Sequence, residues 1–214
     1  MARAFRPNIA DGLYHITARG VRRSPIYDDE IDYRRFLAMF RRVSKDLGWI
    51  CHAYCQMPNH YHLVVETTAP NLSLGMQRLN SRYAAWFNWR HGFVGHVFES
   101  RFYSGVIEYN AHFLELCRYV VLNPVRAGLC RHPKEWPFSS YPTAPTPRIL
   151  DQFGSDPISA RARYERFIAQ GVPASRVLGS DPGTRPDQPK PYVPAKRSAS
   201  RRTSRAAGRP TTLR

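Results

Sequence analysis

The chain has 214 residues, 43% of them hydrophobic and 13% aromatic, which is enough for one globular domain of ordinary size plus a tail. Its net charge of +16 points to a polyanionic partner, nucleic acid foremost, because neutralising phosphates releases their condensed counterions. No stretch approaches the roughly 18 apolar residues of a membrane span, no apolar signal core follows Arg3 and Arg6, no basic amphipathic helix has a clean apolar face, and Cys51, Cys55, Cys117 and Cys130 are too scattered for a disulfide framework, so a soluble, cytoplasmic protein with reduced thiols is expected.

In chain order, Gly12 to Gly20 alternates Tyr14, Ile16 and Ala18 with His15, Thr17 and Arg19, the period of a half-buried strand. Asp28, Asp29 and Glu30 then lead into Tyr33, Phe36, Leu37, Phe40, Val43 and Leu47, a helical pattern whose acids lie where the helix dipole favours them. Gly48 stops it. Trp49 to Met57 and Tyr61 to Glu66 read as two strands of a hairpin turned at Pro58 and Asn59. Leu72 to Trp89 has helical spacing closed by His91 and Gly92, and Phe98 to Glu108 is a further strand candidate. His112 to Leu122 is a short helix, expected to end near Asn123 because Pro124 disfavours helical backbone in the residue before it.

Beyond Gly128 the signals thin: Trp136 and Phe138 mark a packed segment and Arg161 to Ala169 a last helix. The order βαββαβα predicts an α+β fold of the ferredoxin-like class, an antiparallel sheet covered by helices on one face. The domain is expected to span 1–182, with its core at about 8–145 and a helical C-terminal extension to about 182. Residues 183–214 hold nine Lys and Arg against the single acid Asp187, half of the net charge, in a Pro, Ser, Thr and Ala background. Such a tail is expected to be disordered when free.

His60 and His62 flank Tyr61 on a strand, and period 2 puts both imidazoles on one face with Cα atoms roughly 6.6 Å apart. Two rings so placed can converge on one ion. Imidazole suits Zn, Mn, Fe and Ni, and added oxygen ligands would admit Mg or Mn, so the pair does not name its metal; two unrelated histidines at a strand end is the competing reading. Tyr119 and Asn123 are one helical turn apart, in a polar stripe with His112 and Glu115. The plainer alternative there is a half-buried tyrosine with a capping asparagine.

Taken as blocks, MPNHYHLVV (Met57 to Val65) resembles the His-hydrophobic-His motif of single-tyrosine HUH transposases, and RYVVLNPVRAGL (Arg118 to Leu129) resembles the catalytic tyrosine helix of their REP-associated branch. YHITARG, FESRFYSGVI and WPFSSY follow the family pattern in order, so the resemblance covers about residues 8 to 145. It implies His60 and His62 as metal ligands, Tyr119 as nucleophile and Asn123 as third ligand, with Glu115 as the fallback. Gln is common at that last position in the wider group, and Asn points to the REP-associated branch. The implied cofactor is a divalent metal, Mg²⁺ or Mn²⁺; the implied activity is cleavage and rejoining of single-stranded DNA at hairpins through a 5′-phosphotyrosine.

For the DNA path, Arg19, Arg22, Arg23, Arg78, Arg82 and Arg101 are interleaved with Tyr83, Trp86, Trp89, Phe102 and Tyr103, aromatics that can stack on unpaired bases or pack in the core. A monomer is favoured over a dimer. Three rivals stand beside this reading. A phosphodiesterase of the H-x-[ST] class has one matching motif, His15-Ile16-Thr17, and lacks a second. A zinc site from Cys51, Cys55 and the histidines needs a bend, since the two cysteines lie about 13 Å apart on a strand. A non-enzymatic basic nucleic-acid-binding module explains the charge but gives His60, His62 and Tyr119 no joint role.

Overall fold

The computed structural model describes residues 8–108, 111–141, 143 and 145–172; the basic tail and the end of the C-terminal extension lie outside the described residues. Strand β1 (Gly12–Arg19) leads through a 3-10 turn at Val21–Arg23 into α1 (Glu30–Leu47), the hairpin β2 (Ile50–Met57) and β3 (His60–Thr67), α2 (Leu72–His91), β4 (Tyr103–Val106) and α3 (Ala111–Arg126). Two more helices, α4 (Pro147–Leu150) and α5 (Pro157–Gln170), complete the described chain. The strands form one antiparallel sheet in the order β2-β3-β1-β4. This is the α+β arrangement expected from the element order.

Local chemistry sets the ends. The Asp29 side chain accepts from the backbone N–H groups of Ile31 and Asp32, capping α1, while Gly48 (φ 70°) and Gly92 (φ 68°) take the left-handed conformation that ends α1 and α2. Two elements depart from the sequence expectation. Strand β4 is only four residues long, because Phe98 makes a lone bridge to Gly20 and the buried Phe102 ties the following chain into the core before pairing starts. Helix α3 runs through Pro124 to Arg126 rather than ending near Asn123. Proline lacks the N–H that would bond the Val120 carbonyl, and the Asn123 amide donates instead to the carbonyls of Tyr119 (3.0 Å) and Val120 (3.4 Å). That side-chain donor replaces part of what the ring removes.

The expected cover on one face is incomplete, because both faces of the sheet are apolar. Tyr14, Ile16, Ala18, Tyr61, Leu63 and Val65 point to one side and pack under α1 and α2 with Phe36, Phe40, Met76, Leu79 and Tyr83. The alternate residues Leu13, Ala53, Cys55, Met57 and Val64 pack on the other side under Phe113, Cys117, Val120 and Val121 of α3, with Tyr164 and Ile168 of α5 behind. A strand buried at nearly every position, as β3 is, needs helices on both sides. The segment around Trp136 also packs as expected: it lies along the outer edge of β2, where the Gln56 N–H donates to the Phe138 carbonyl and the Ser140 N–H to the Tyr54 carbonyl, both at 2.9 Å.

Candidate active site

On the α3 side the sheet surface changes from apolar to polar toward the β2–β3 turn. Register places Thr17 opposite His62 and Arg19 opposite His60, so His15, Thr17, Arg19, His60 and His62 share that face. The His60 and His62 ring centres are 5.0 Å apart. Each ring has one nitrogen engaged within the protein: His60 Nδ1 donates to Asn59 Oδ1 at 2.7 Å, and His62 Nδ1 lies 3.0 Å from His15 Nε2.

Burial keeps these rings neutral. Desolvation, with the Arg19 charge adding to it, pulls His60 down to about 4. The same loss of hydration, aided by His60, His15 and Arg19, holds His62 well below its ordinary value, and His15 is lowered by burial and by His112. Neutral imidazoles keep a lone pair for a metal, so the pair fits a divalent ion such as Mn²⁺ or Zn²⁺. The Cys55 thiol, opposite His62 in the register and fully buried, is pushed well up by desolvation, and burial likewise pushes Cys51 up to about 12. Cys51 packs against the core under α1 and α2, on the face of the sheet away from His62, which removes support from the zinc grouping.

Helix α3 carries Tyr119 to these histidines. Its ring stands edge-on to His62 at 5.7 Å and to His15 at 6.5 Å, and 38% of the residue remains exposed. The Arg126 guanidinium sits 5.0 Å from the centre of the Tyr119 ring. Asn123 lies between them on the same stripe, its amide nitrogen turned to the helix carbonyls. Glu115, the fallback ligand, is paired with Arg118, whose guanidinium lies 4.4 Å from the Phe167 ring of α5. The helix bearing the tyrosine is thereby braced against α5.

The arginines divide into two groups. Arg19, Arg22, Arg23 and Arg101 gather at the sheet end where the histidines begin: the Asn59 amide donates to the Arg23 carbonyl (3.0 Å), and the Glu99 N–H donates to the Arg19 carbonyl (3.0 Å) two residues before Arg101. Arg78 and Arg82 do not join them. They line a cavity of about 290 Å³ between α1 and α2 with Arg35 and Arg42, on the outside of the helical layer and across the sheet from His62. Of the aromatics, Tyr83 and Phe102 are buried core residues. Trp86 is wedged between Arg35 and Arg90, whereas Tyr103 is 65% exposed and pairs with Thr17 on the histidine face.

Sequence reasoning missed His15 and Arg126 as members of this constellation. Both had a signal. His15 shares the alternation of Thr17 and Arg19, and Arg126 is two helical turns from Tyr119. A different group, Asp28, Asp32 and His91, has ligand atoms within 4.8 Å of one another at the ends of α1 and α2. Arg90 pairs with Asp32 at 2.5 Å and with Asp29 at 2.7 Å, and the Asp28 N–H donates to Asp32 at 2.7 Å, so the buried carboxylate is already balanced. This clasp joins two helices on the face away from Tyr119.

A four-stranded α+β core with two histidines on a central strand and a tyrosine facing them from the last core helix has the layout of a tyrosine transposase. The chain belongs to the IS200-like transposase family, whose sequence model, described as "Transposase IS200 like", matches residues 8–123. Among solved structures it is similar to a REP-associated tyrosine transposase bound to a REP hairpin, with a TM-score of 0.58 and 20% identity over 73% of this chain and 93% of that one. At that identity the likeness bears on the fold. A putative transposase from Deinococcus radiodurans R1 aligns with a TM-score of 0.39 and 14% identity over 56% of this chain and 95% of that one. No curated protein matches the sequence. No described helix is long and apolar enough to cross a membrane.

Proposed function

We propose that this transposase is a divalent-metal-dependent, single-strand DNA nicking and joining enzyme of the REP-associated branch, with Tyr119 as nucleophile. The observation that carries the reading is the meeting of Tyr119 with His62 at 5.7 Å across two elements 57 positions apart in the chain. Core packing alone gives no reason for a half-exposed phenol to stand over two neutral imidazoles. His60 offers an Nε2 lone pair, His62 offers one in the tautomer that is protonated at Nδ1, and Asn123 can offer Oδ1, since its nitrogen is occupied by the helix carbonyls. A bound Mg²⁺ or Mn²⁺ would polarise the scissile phosphate and offset charge in the transition state.

The protein supplies the rest. Tyr119 Oη attacks phosphorus in line; the P–O(Tyr) bond forms as the P–O3′ bond breaks, leaving a 5′-phosphotyrosine and a 3′ oxygen that takes up a proton. The Tyr119 proton is lost to solvent or to a neighbouring base, and the Arg126 guanidinium, 5.0 Å from the centre of the Tyr119 ring, is placed to attract the phosphate of the incoming strand. Phosphodiester energy is retained, so a second 3′-OH can reverse the step without a nucleotide cofactor. One chain brings nucleophile and histidines together, which supports action as a monomer.

DNA recognition follows the division of the arginines. Arg19, Arg22, Arg23 and Arg101, with exposed Tyr103 as a stacking surface, make the single-strand path into the site. Arg78 and Arg82 belong to a separate basic groove suited to duplex phosphates, such as a hairpin stem. The basic tail adds affinity that is lost with salt. The test is incubation of protein with Mg²⁺ or Mn²⁺ and a labelled single-stranded hairpin, followed by a denaturing gel. A covalent adduct in wild type that is absent in Tyr119→Phe supports the reading; cleavage that persists in Tyr119→Phe sinks it.

A further inference from the structure

His15 is 47 residues from His62 in sequence and diagonal to it across β1 and β3. Their ring planes are within 10° of parallel, with centres 5.3 Å apart, while His15 Nε2 and His62 Nδ1 are 3.0 Å apart. An imidazole nitrogen lies about 1.1 Å from its ring centre, so the centres are nearly as far apart as a 3.0 Å contact allows. Both nitrogens must therefore lie close to the line joining the centres. The rings meet edge to edge in nearly one plane, the geometry of a straight N–H···N hydrogen bond rather than of a stack.

Such a bond holds one proton, and its two arrangements have opposite consequences. If His15 Nε2 donates, His62 carries its own proton on Nε2 and has no lone pair to offer an ion. If His62 Nδ1 donates, Nε2 is left bare. His60 is already set in the second way, because Asn59 Oδ1 can only accept from its Nδ1.

We propose that His15 is the positioning residue of the metal site, accepting the Nδ1 proton of His62 and so fixing the tautomer and ring plane that present His62 Nε2. The proposal rests on the reading of His60 and His62 as the metal pair. In this arrangement Asn59 and His15 play equivalent parts behind the two ligands, one from the hairpin turn and one from the neighbouring strand. It also gives the lone His15-Ile16-Thr17 motif a role that needs no second copy. His15 is not itself a ligand, since its Nε2 is spent on His62.

The test uses DNA-free, full-length protein and Mn²⁺ titrated by calorimetry. His15→Ala and His15→Phe are expected to weaken Mn²⁺ binding by about 10- to 100-fold, the effect typical of losing a partner behind a metal-bound histidine. His15→Gln, whose Oε1 can accept the same proton, should recover most of the loss. Hairpin binding in EDTA should be unchanged in all three. Long-range ¹⁵N correlation spectra of the metal-free protein should show His62 protonated at Nδ1 in wild type and His15→Gln, with mixed tautomers in His15→Phe.

Mn²⁺ affinity that is unchanged in His15→Phe but abolished in His62→Ala overturns the role of His15 and leaves the metal pair standing. Affinity unchanged in His62→Ala as well removes the metal pair. Loss as complete in His15→Gln as in His62→Ala makes His15 a ligand and overturns the positioning role. Circular dichroism and melting of His15→Gln, the mildest change, separate a folding defect from these outcomes.

Discussion

The two faces of one sheet do different work. Under α1 and α2 the face is aromatic and closed: Phe36, Tyr61 and Tyr83 pack with ring centres 4.7 to 5.1 Å apart for the Phe36 pairs, and Tyr61 donates to Asn80 at 2.7 Å. Under α3 the same strands are apolar at one end and carry His15, Thr17, His60 and His62 at the other. There His62 is only 7% exposed, and its Nδ1 meets His15 Nε2 at 3.0 Å. These histidines are where we propose the chemistry is sited, and the sealed face provides the rigidity that keeps them in place.

Breaking the polar face should give the largest effect. His60→Ala or His62→Ala is expected to abolish nicking while hairpin binding in EDTA stays near wild type, measured by gel assay and fluorescence anisotropy; undiminished nicking by either variant would remove it from the site. Breaking the sealed face should do the reverse. Phe36→Ala, at a position with no exposure, is expected to cost about 3–5 kcal/mol of stability by chemical denaturation, with near-normal nicking per folded molecule at low temperature. A variant stable as wild type but inactive would contradict the division.

Acidity should reach the polar face first. His60 titrates at its ordinary 6.5 in the unfolded chain and at about 4 when folded, so between those values the unfolded state binds more protons. Stability supplied by its neutral form is present above pH 6.5 and is lost as pH falls toward about 4. Melting curves at pH 7 and pH 5 should show a larger drop for wild type than for His60→Gln, and equal drops would refute this origin. The arginine groups sharpen the comparison at the smallest scale. Arg19→Gln should lower single-strand cleavage at limiting DNA more than Arg78→Gln with Arg82→Gln, whereas the double variant should chiefly reduce the salt dependence of hairpin binding, by roughly one unit of slope for each phosphate no longer neutralised. Equal effects on cleavage would place both groups on one DNA path.

How far the sequence led depends on the range of the interaction. Element order was legible because alternation in β1 and β3, helical spacing from Tyr33 to Leu47, and Gly48 and Gly92 are local signals. Pro124 misled because its cost is offset by the Asn123 side chain, a detail of the folded helix. The shortening of β4 and the side of the sheet each helix covers are settled by long-range packing, so Arg78 and Arg82 could be read as exposed but not as distant from His62. His60, His62 and Tyr119 came from motif spacing and resemblance, and the structure brings them together. His15 was visible as a residue on the right strand face; its partner was visible only once β1 lay beside β3.

The most direct measurement is tandem mass spectrometry of the protease-digested adduct formed with a single-stranded hairpin and Mn²⁺. The account predicts a nucleotide joined through its 5′-phosphate to the peptide containing Tyr119, at that residue alone. Attachment at another residue, or cleavage whose products carry no protein linkage, would contradict it.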